Sequence, residues 1–130
     1  MKKLSIVVPV YYNKDSLAIL LQRLLVVEQQ LLEKSIGLEL IFVDDGSGDD
    51  SLPELLRLKE NHPDIRIIKL TRNFGAVHAS KTGCRFVTGD CFMIAESNVK
   101  CIIYPANFLI YSLSDFKTVD NSLFSFSRRI

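Results

Sequence analysis

The 130-residue chain is 48% hydrophobic and 24% charged, enough for one globular domain with its own core and short for two. A formal net charge of +1 supplies no global field for nucleic acid or an anionic membrane, so charge-based chemistry has to be local. Cys84, Cys91 and Cys101 form no CxxC pair and leave an odd thiol in any disulfide scheme, which points to structural thiols, a reducing compartment and a cytoplasmic location.

The first segment, MKKLSIVVPVYYN, has a basic start, but Pro9 and Asn13 keep its apolar run below the length of a secretory leader. Residues 4–10, LSIVVPV, are apolar on both faces and predict a parallel strand covered on each side. Asp15 or Ser16 can cap the helix that follows, residues 17–34, whose leucines recur at helical spacing and form a core or interface face. Gly37 is expected to end that helix, and LELIFV, residues 38–43, makes the second strand. After an acidic loop, Ser51 reads as an N-cap, with Pro53 behind it and Glu54 at the capping-box position of a helix to about Glu60. NHPD is a turn and IRIIKL, residues 65–70, a third strand. TRNFG is a loop, residues 76–87 a third helix, TGD a turn, and CFMIA a fourth strand. The alternation predicts an α/β domain: a mostly parallel sheet with helices on both faces, joined by right-handed crossovers. Residues 96–130 show no clean periodicity, and Pro105 and Asn107 interrupt their most apolar run, so no membrane span is expected.

Ligands of open parallel sheets bind outside the carboxyl ends of the strands, and three such ends here carry polar chemistry: PVYYNKD, DDGSGDD and TRNFG. Gly46 and Gly48 allow tight turning and close approach to a ligand. Asp44 and Asp45 are pure acceptors suited to a base imide or a ribose hydroxyl, and Arg72 offers a fork of donors for phosphate. That set suits a nucleoside diphosphate. Each residue also has a plainer reading: the acidic loop as turn and capping chemistry, Arg72 as a solvated cation, Asn73 and Gly75 as loop formers, His78 as a packed or surface histidine. A calcium loop counted from Asp45 fails, because Asp50 stands where glycine belongs and Leu56 where glutamate belongs. No GxGxxG follows the first strand, which excludes a dinucleotide fingerprint. A receiver-like signalling domain also pairs acids at strand ends, but its acid pair follows the first strand, which here ends in PVYYN.

SIVVPVYYNKDSL, ELIFVDDGSGDDS and IIKLTRNFGAVHASKTGCRFVTGD, in that order and spacing, resemble family 2 glycosyltransferases of the Rossmann-like GT-A fold, especially the dolichol-phosphate mannose synthase-like, polyprenol-phosphate branch. The resemblance spans residues 4–94 and implies a nucleotide-sugar-binding half over residues 1–95, with an atypical tail over 96–130 and a truncated fold. It implies transfer of a sugar from a nucleotide diphosphate sugar to a lipid phosphate or glycan acceptor, as in cell-wall or polysaccharide biosynthesis. Pro9, Val10, Tyr11 and Asn13 would surround the base, although the double tyrosine and Lys14 depart from the commoner PVYNEE form. Asp44 and Asp45 would match the aspartate pair of the DDGS loop, with Gly46 and Ser47 beside them and Asp45 as the base contact. Arg72, Asn73 and Gly75 would border the diphosphate. The family's Mg2+ or Mn2+ is held by a DxD motif after the fourth strand, where this chain reads AESNVK; Glu96 is the one acid there, a weak metal candidate. The acceptor-side catalytic base has no counterpart, so a catalytically inactive nucleotide-binding or partner-binding module is the alternative. The expected partners are a nucleotide sugar and polyprenyl phosphate, with homo-oligomer formation open and no nucleic acid. The lipid acceptor extends the location to the cytoplasmic face of a membrane.

Overall fold

A first strand that is apolar on both faces requires cover on both, and the computed structural model, which describes residues 2–95, provides it. The chain runs through β1 (Lys2–Val10), α1 (Lys14–Leu32), β2 (Ile36–Asp44), α2 (Ser51–Asn61), β3 (Arg66–Lys69), α3 (Ala76–Cys84) and β4 (Cys91–Ile94). All three strand pairings are parallel, in the order β3-β2-β1-β4. Residues 96–130, including Glu96 and the expected tail, lie outside the described residues.

Strand parity decides which side each residue serves. Leu4, Ile6, Val8 and Val10 of β1 join Leu40 and Phe42 of β2 in one cluster with the buried faces of α1 and α2. Val7, Ile41 and Val43 point the other way and meet Ala79 of α3. The chain therefore steps outward from β1 to β3 with its helices on one face, then returns past β1 to β4 with α3 on the opposite face. Reversing direction and face together keeps the crossover hand, as the α/β reading requires. Pro9 has no N–H to donate, and it sits beyond the last β4 partner of β1, Ile94 opposite Val7.

Helix ends differ from the sequence expectation in four places. Asn13 instead of Asp15 or Ser16 occupies the N-cap position of α1 and makes no side-chain capping bond; its Oδ1 accepts the Tyr11 N–H and its own N–H is taken by the Ser51 hydroxyl at 3.0 Å. It ends at Leu32, and the positive φ of 59° falls on Ser35, because the register places Gly37 inside β2 opposite Lys3. Asp50 instead of Ser51 occupies the N-cap position of α2, without a side-chain capping bond, and the Glu54 carboxylate pairs with Arg57 at 2.6 Å instead of closing a capping box. Helix α3 stops at Cys84, and Val87 turns down to bury against the sheet.

Two close fits hold α3 and the segment after it. A methyl on Gly83 would collide with Val7 and lie 2.9 Å from Val43 Cγ2, so glycine is what lets α3 press onto the sheet. Gly83→Ala should lower stability by about 1–3 kcal/mol through overpacking, read as a fall in Tm by thermal melting. At the other end of the strands, Glu39 gathers the connection from α3 to β4. Its carboxylate accepts from the Ser5 hydroxyl at 2.5 Å, from the Thr88 N–H and hydroxyl at 3.0 Å each, and from Arg66 Nη1 at 3.1 Å. Burial alone would raise its pKa, but these donors outweigh burial and hold it at about 2 against an ordinary 4.5. Burial pushes the Cys84 and Cys91 thiols up, which keeps them protonated at neutral pH. Among the described residues, no helix is long and apolar enough to cross a membrane.

Candidate functional site

The loops after β1, β2 and β3 meet at the carboxyl ends of the strands. The loop after β1 is tied to the loop after β2 by Asp45 N–H on Val10 O at 2.8 Å, Tyr12 N–H on Ser47 Oγ at 3.2 Å and Asn13 N–H on Ser51 Oγ at 3.0 Å. An exposed ion pair, Lys14 with Asp50 at 3.4 Å, lies over the same seam. Ser51 is buried and donates its own hydroxyl to Asp49 at 2.6 Å, so the residue read from sequence as a cap is instead an inter-loop tie. The hydroxyl and backbone N–H of Ser51 offset the effect of desolvation and hold the Asp49 carboxyl below its ordinary value.

The adjacent carboxylates Asp44 and Asp45 are both buried, at 1% and 2% exposure, but their surroundings differ. Asp45 accepts the N–H of Phe74 at 2.8 Å, the N–H of Gly75 at 3.1 Å and the side-chain amide of Asn73 at 3.3 Å. Its charge therefore sits at the start of α3, where the helix dipole favours an anion, and it staples the loop after β3 to the loop after β2. Asp44 closes the strand ladder between Val10 and Lys69. Among the described residues its carboxylate has one long contact, 3.4 Å from Ser47 N–H. A carboxylate offers about four lone-pair sites, so Asp44 retains acceptor capacity that Asp45 has largely spent.

The two loop glycines serve packing between loops. Gly46 has φ +70, and a methyl there would lie 2.5 Å from Asn73 N and 2.9 Å from Arg72 Cα. Its bareness is what allows the loop after β3 to close. The space beside Gly48 is filled by the Tyr12 hydroxyl. Sequence reading assigned that room to a ligand, and the tertiary contacts give it to the protein's own atoms. Gly75 is selected by conformation alone, with φ 96° and open space beside it.

The remaining site residues form the outer wall. Tyr11 and Tyr12 are exposed, their rings edge to face at 4.6 Å, and Asn13 Oδ1 accepts the Tyr11 N–H at 2.8 Å. Pro9 and Val10 form the strand end beneath them. The Arg72 guanidinium lies 4.6 Å over the Phe74 ring, which stacks on His78 at 4.9 Å. Among the described residues Arg72 makes no ion pair, and His78 is a surface ring in this stack. Sequence reasoning singled out neither Tyr12 nor Ser51 for the site. The signal for Ser51 was its place in DDS, which reads equally as a cap.

A hard cation needs several oxygen ligands. Among the described residues no three histidine, cysteine, aspartate or glutamate side chains gather to hold a metal ion, and the N–H donors around Asp45 fill the positions a cation would take. Residues 2–95 therefore do not fit Mg2+ or Mn2+ by themselves.

Residues 5–97 match the family described as Glycosyl transferase family 2. The chain is 38% identical over 102 residues to the undecaprenyl-phosphate 4-deoxy-4-formamido-L-arabinose transferase of Photorhabdus laumondii, covering 76% of this chain and 30% of that protein. The Yersinia enterocolitica protein of the same name is 39% identical over 101 residues, with the same coverage. The chain thus spans under a third of the length of these relatives. Among solved structures, the Pyrobaculum calidifontis mannosyltransferase PcManGT, in complex with GDP-Man and Mn2+, superposes with TM-score 0.63 at 26% identity, over 74% of this chain and 27% of that one. S. aureus TarS superposes with TM-score 0.60 at 23% identity, over 73% of this chain and 16% of that one, a likeness of fold.

Proposed function

The chain belongs to glycosyl transferase family 2, and on that premise we propose that its strand-end rim binds the nucleoside diphosphate part of a nucleotide sugar whose sugar passes to a lipid phosphate such as a polyprenyl phosphate. The observation that carries the reading is Asp44: a buried carboxylate with unused acceptor capacity where three loops converge, beside the point at which the crossovers change face. Family membership removes the receiver-like alternative.

In this reading Asp44, instead of Asp45, takes the N–H or O–H donors of base and ribose, because Asp45 is committed to the loop after β3. Tyr11 packs against the base, with Pro9, Val10 and Asn13 as its support. Gly46, Ser47, Asn73 and Gly75 set the loop shapes, and Arg72 faces the diphosphate. A divalent metal would neutralise the departing diphosphate; its ligands would have to come from beyond residue 95, where Glu96 is the nearest acid.

Calorimetric titration with UDP and GDP tests the site. Asp44→Asn should weaken binding about ten- to hundredfold with little change in Tm, because one charge-assisted acceptor is lost without a packing change. Unchanged affinity would overturn the assignment. Radiolabelled transfer to polyprenyl phosphate separates transferase from binding module: turnover supports the first, nucleotide binding without turnover the second.

A further inference from the structure

Tyr12 has φ +53, a left-handed conformation that glycine and asparagine adopt readily and a tyrosine does not. Strain of that kind persists only where neighbouring contacts impose it. Here three hydrogen bonds do so in succession: Tyr11 N–H to Asn13 Oδ1, Tyr12 N–H to Ser47 Oγ and Asn13 N–H to Ser51 Oγ. Core burial does not offset the strain, because Tyr12 is 56% exposed. What the conformation achieves is placement of a ring. Its edge meets the neighbouring Tyr11 ring at 4.6 Å and 81°, and its hydroxyl rests on the bare face of Gly48. The Tyr12 ring thus bridges the loop after β2 to Tyr11, a residue that is itself 48% exposed.

We propose that Tyr12 is a positioning residue: a strained aromatic brace that fixes the Tyr11 ring for the nucleobase and gains nucleotide affinity at the expense of fold stability. The proposal rests on the reading of this rim as a nucleoside diphosphate site. It requires that stability and affinity respond in opposite directions when the brace is removed, which a residue that merely holds the loop together cannot produce.

The experiment pairs thermal melting with calorimetric titration of UDP and GDP on the full 130-residue chain. Tyr12→Asn accepts the left-handed backbone without the ring, and should raise Tm by about 2–6 °C while weakening nucleotide binding about three- to tenfold. Tyr12→Phe keeps the ring edge on Tyr11 and should recover most of the affinity. Gly48→Ala places a methyl where the Tyr12 hydroxyl lies and should weaken binding in the wild-type background, with a smaller effect in Tyr12→Phe, where the hydroxyl is gone. A Tyr12→Asn chain that binds as well as wild type overturns the brace alone. A fall of Tm together with affinity also overturns it, since Tyr12 would then be a structural residue. If wild type binds neither nucleotide, the site reading fails and the brace falls with it.

Discussion

Glu39→Gln should cost the domain about 2–4 kcal/mol at neutral pH. The carboxylate is 9% exposed and holds Ser5, Thr88 and Arg66 at once, and glutamine can satisfy only part of that donor set. The pH dependence carries an independent signature. The folded-state pKa of about 2 lies below the ordinary 4.5, so ionised Glu39 contributes stability that is complete above the unfolded value and is lost as pH falls toward the folded one. The shift corresponds to about 3 kcal/mol, drawn down between roughly pH 5 and pH 2. Urea melts of wild type and Glu39→Gln at pH 7, 4 and 3 measure both effects. A variant that keeps the wild-type slope of stability against pH in that window would show that the titration belongs to another group.

Asp45→Ala should also destabilise the fold, by about 2–4 kcal/mol, because it strands the Phe74 and Gly75 N–H groups at the start of α3 and leaves the Asn73 amide only its 3.3 Å bond to the Asp45 backbone carbonyl. Asp45→Asn should be nearly as damaging: its amide would point donor hydrogens at backbone donors. Hydrogen exchange at Phe74 and Gly75 should accelerate in both variants. Asp44→Asn is the matched control, with affinity lost and stability kept. If the two aspartates behave alike, with affinity lost and Tm unchanged at both, then Asp45 meets the ligand directly and its bonds to the loop after β3 are dispensable.

These predictions turn on contacts that could not be read along the chain. Strand and helix order was legible because β1 and β2 are apolar on both faces and the leucines of α1 recur on one side, patterns set by neighbours within one or two turns. The strand-end position of PVYYN, DDGSGDD and TRNFG followed from that order. Several local details were displaced. Ser51 was drawn from its expected cap to a tie with Asn13, and the left-handed turn after α1 was moved from Gly37 to Ser35 by the register of β2 on β1. In both cases a partner in another element outcompeted the local preference.

The amino-acid sequence by itself determined the parallel α/β order, the two-sided core and the three polar strand ends on one rim, because each rests on periodicity and on turn residues that act over a few positions. Only the tertiary structure decided which carboxylate of the Asp44–Asp45 pair stays open, that Gly46 and Gly48 admit the protein's own backbone and a tyrosine ring, and that a single glutamate in an apolar strand is a hub. Asp45 meets partners 28 to 30 residues away and Glu39 meets partners 27 to 49 residues away. Side-chain pattern shows which face a residue occupies, but whether its hydrogen-bonding capacity is spent depends on segments that only the folded chain brings together.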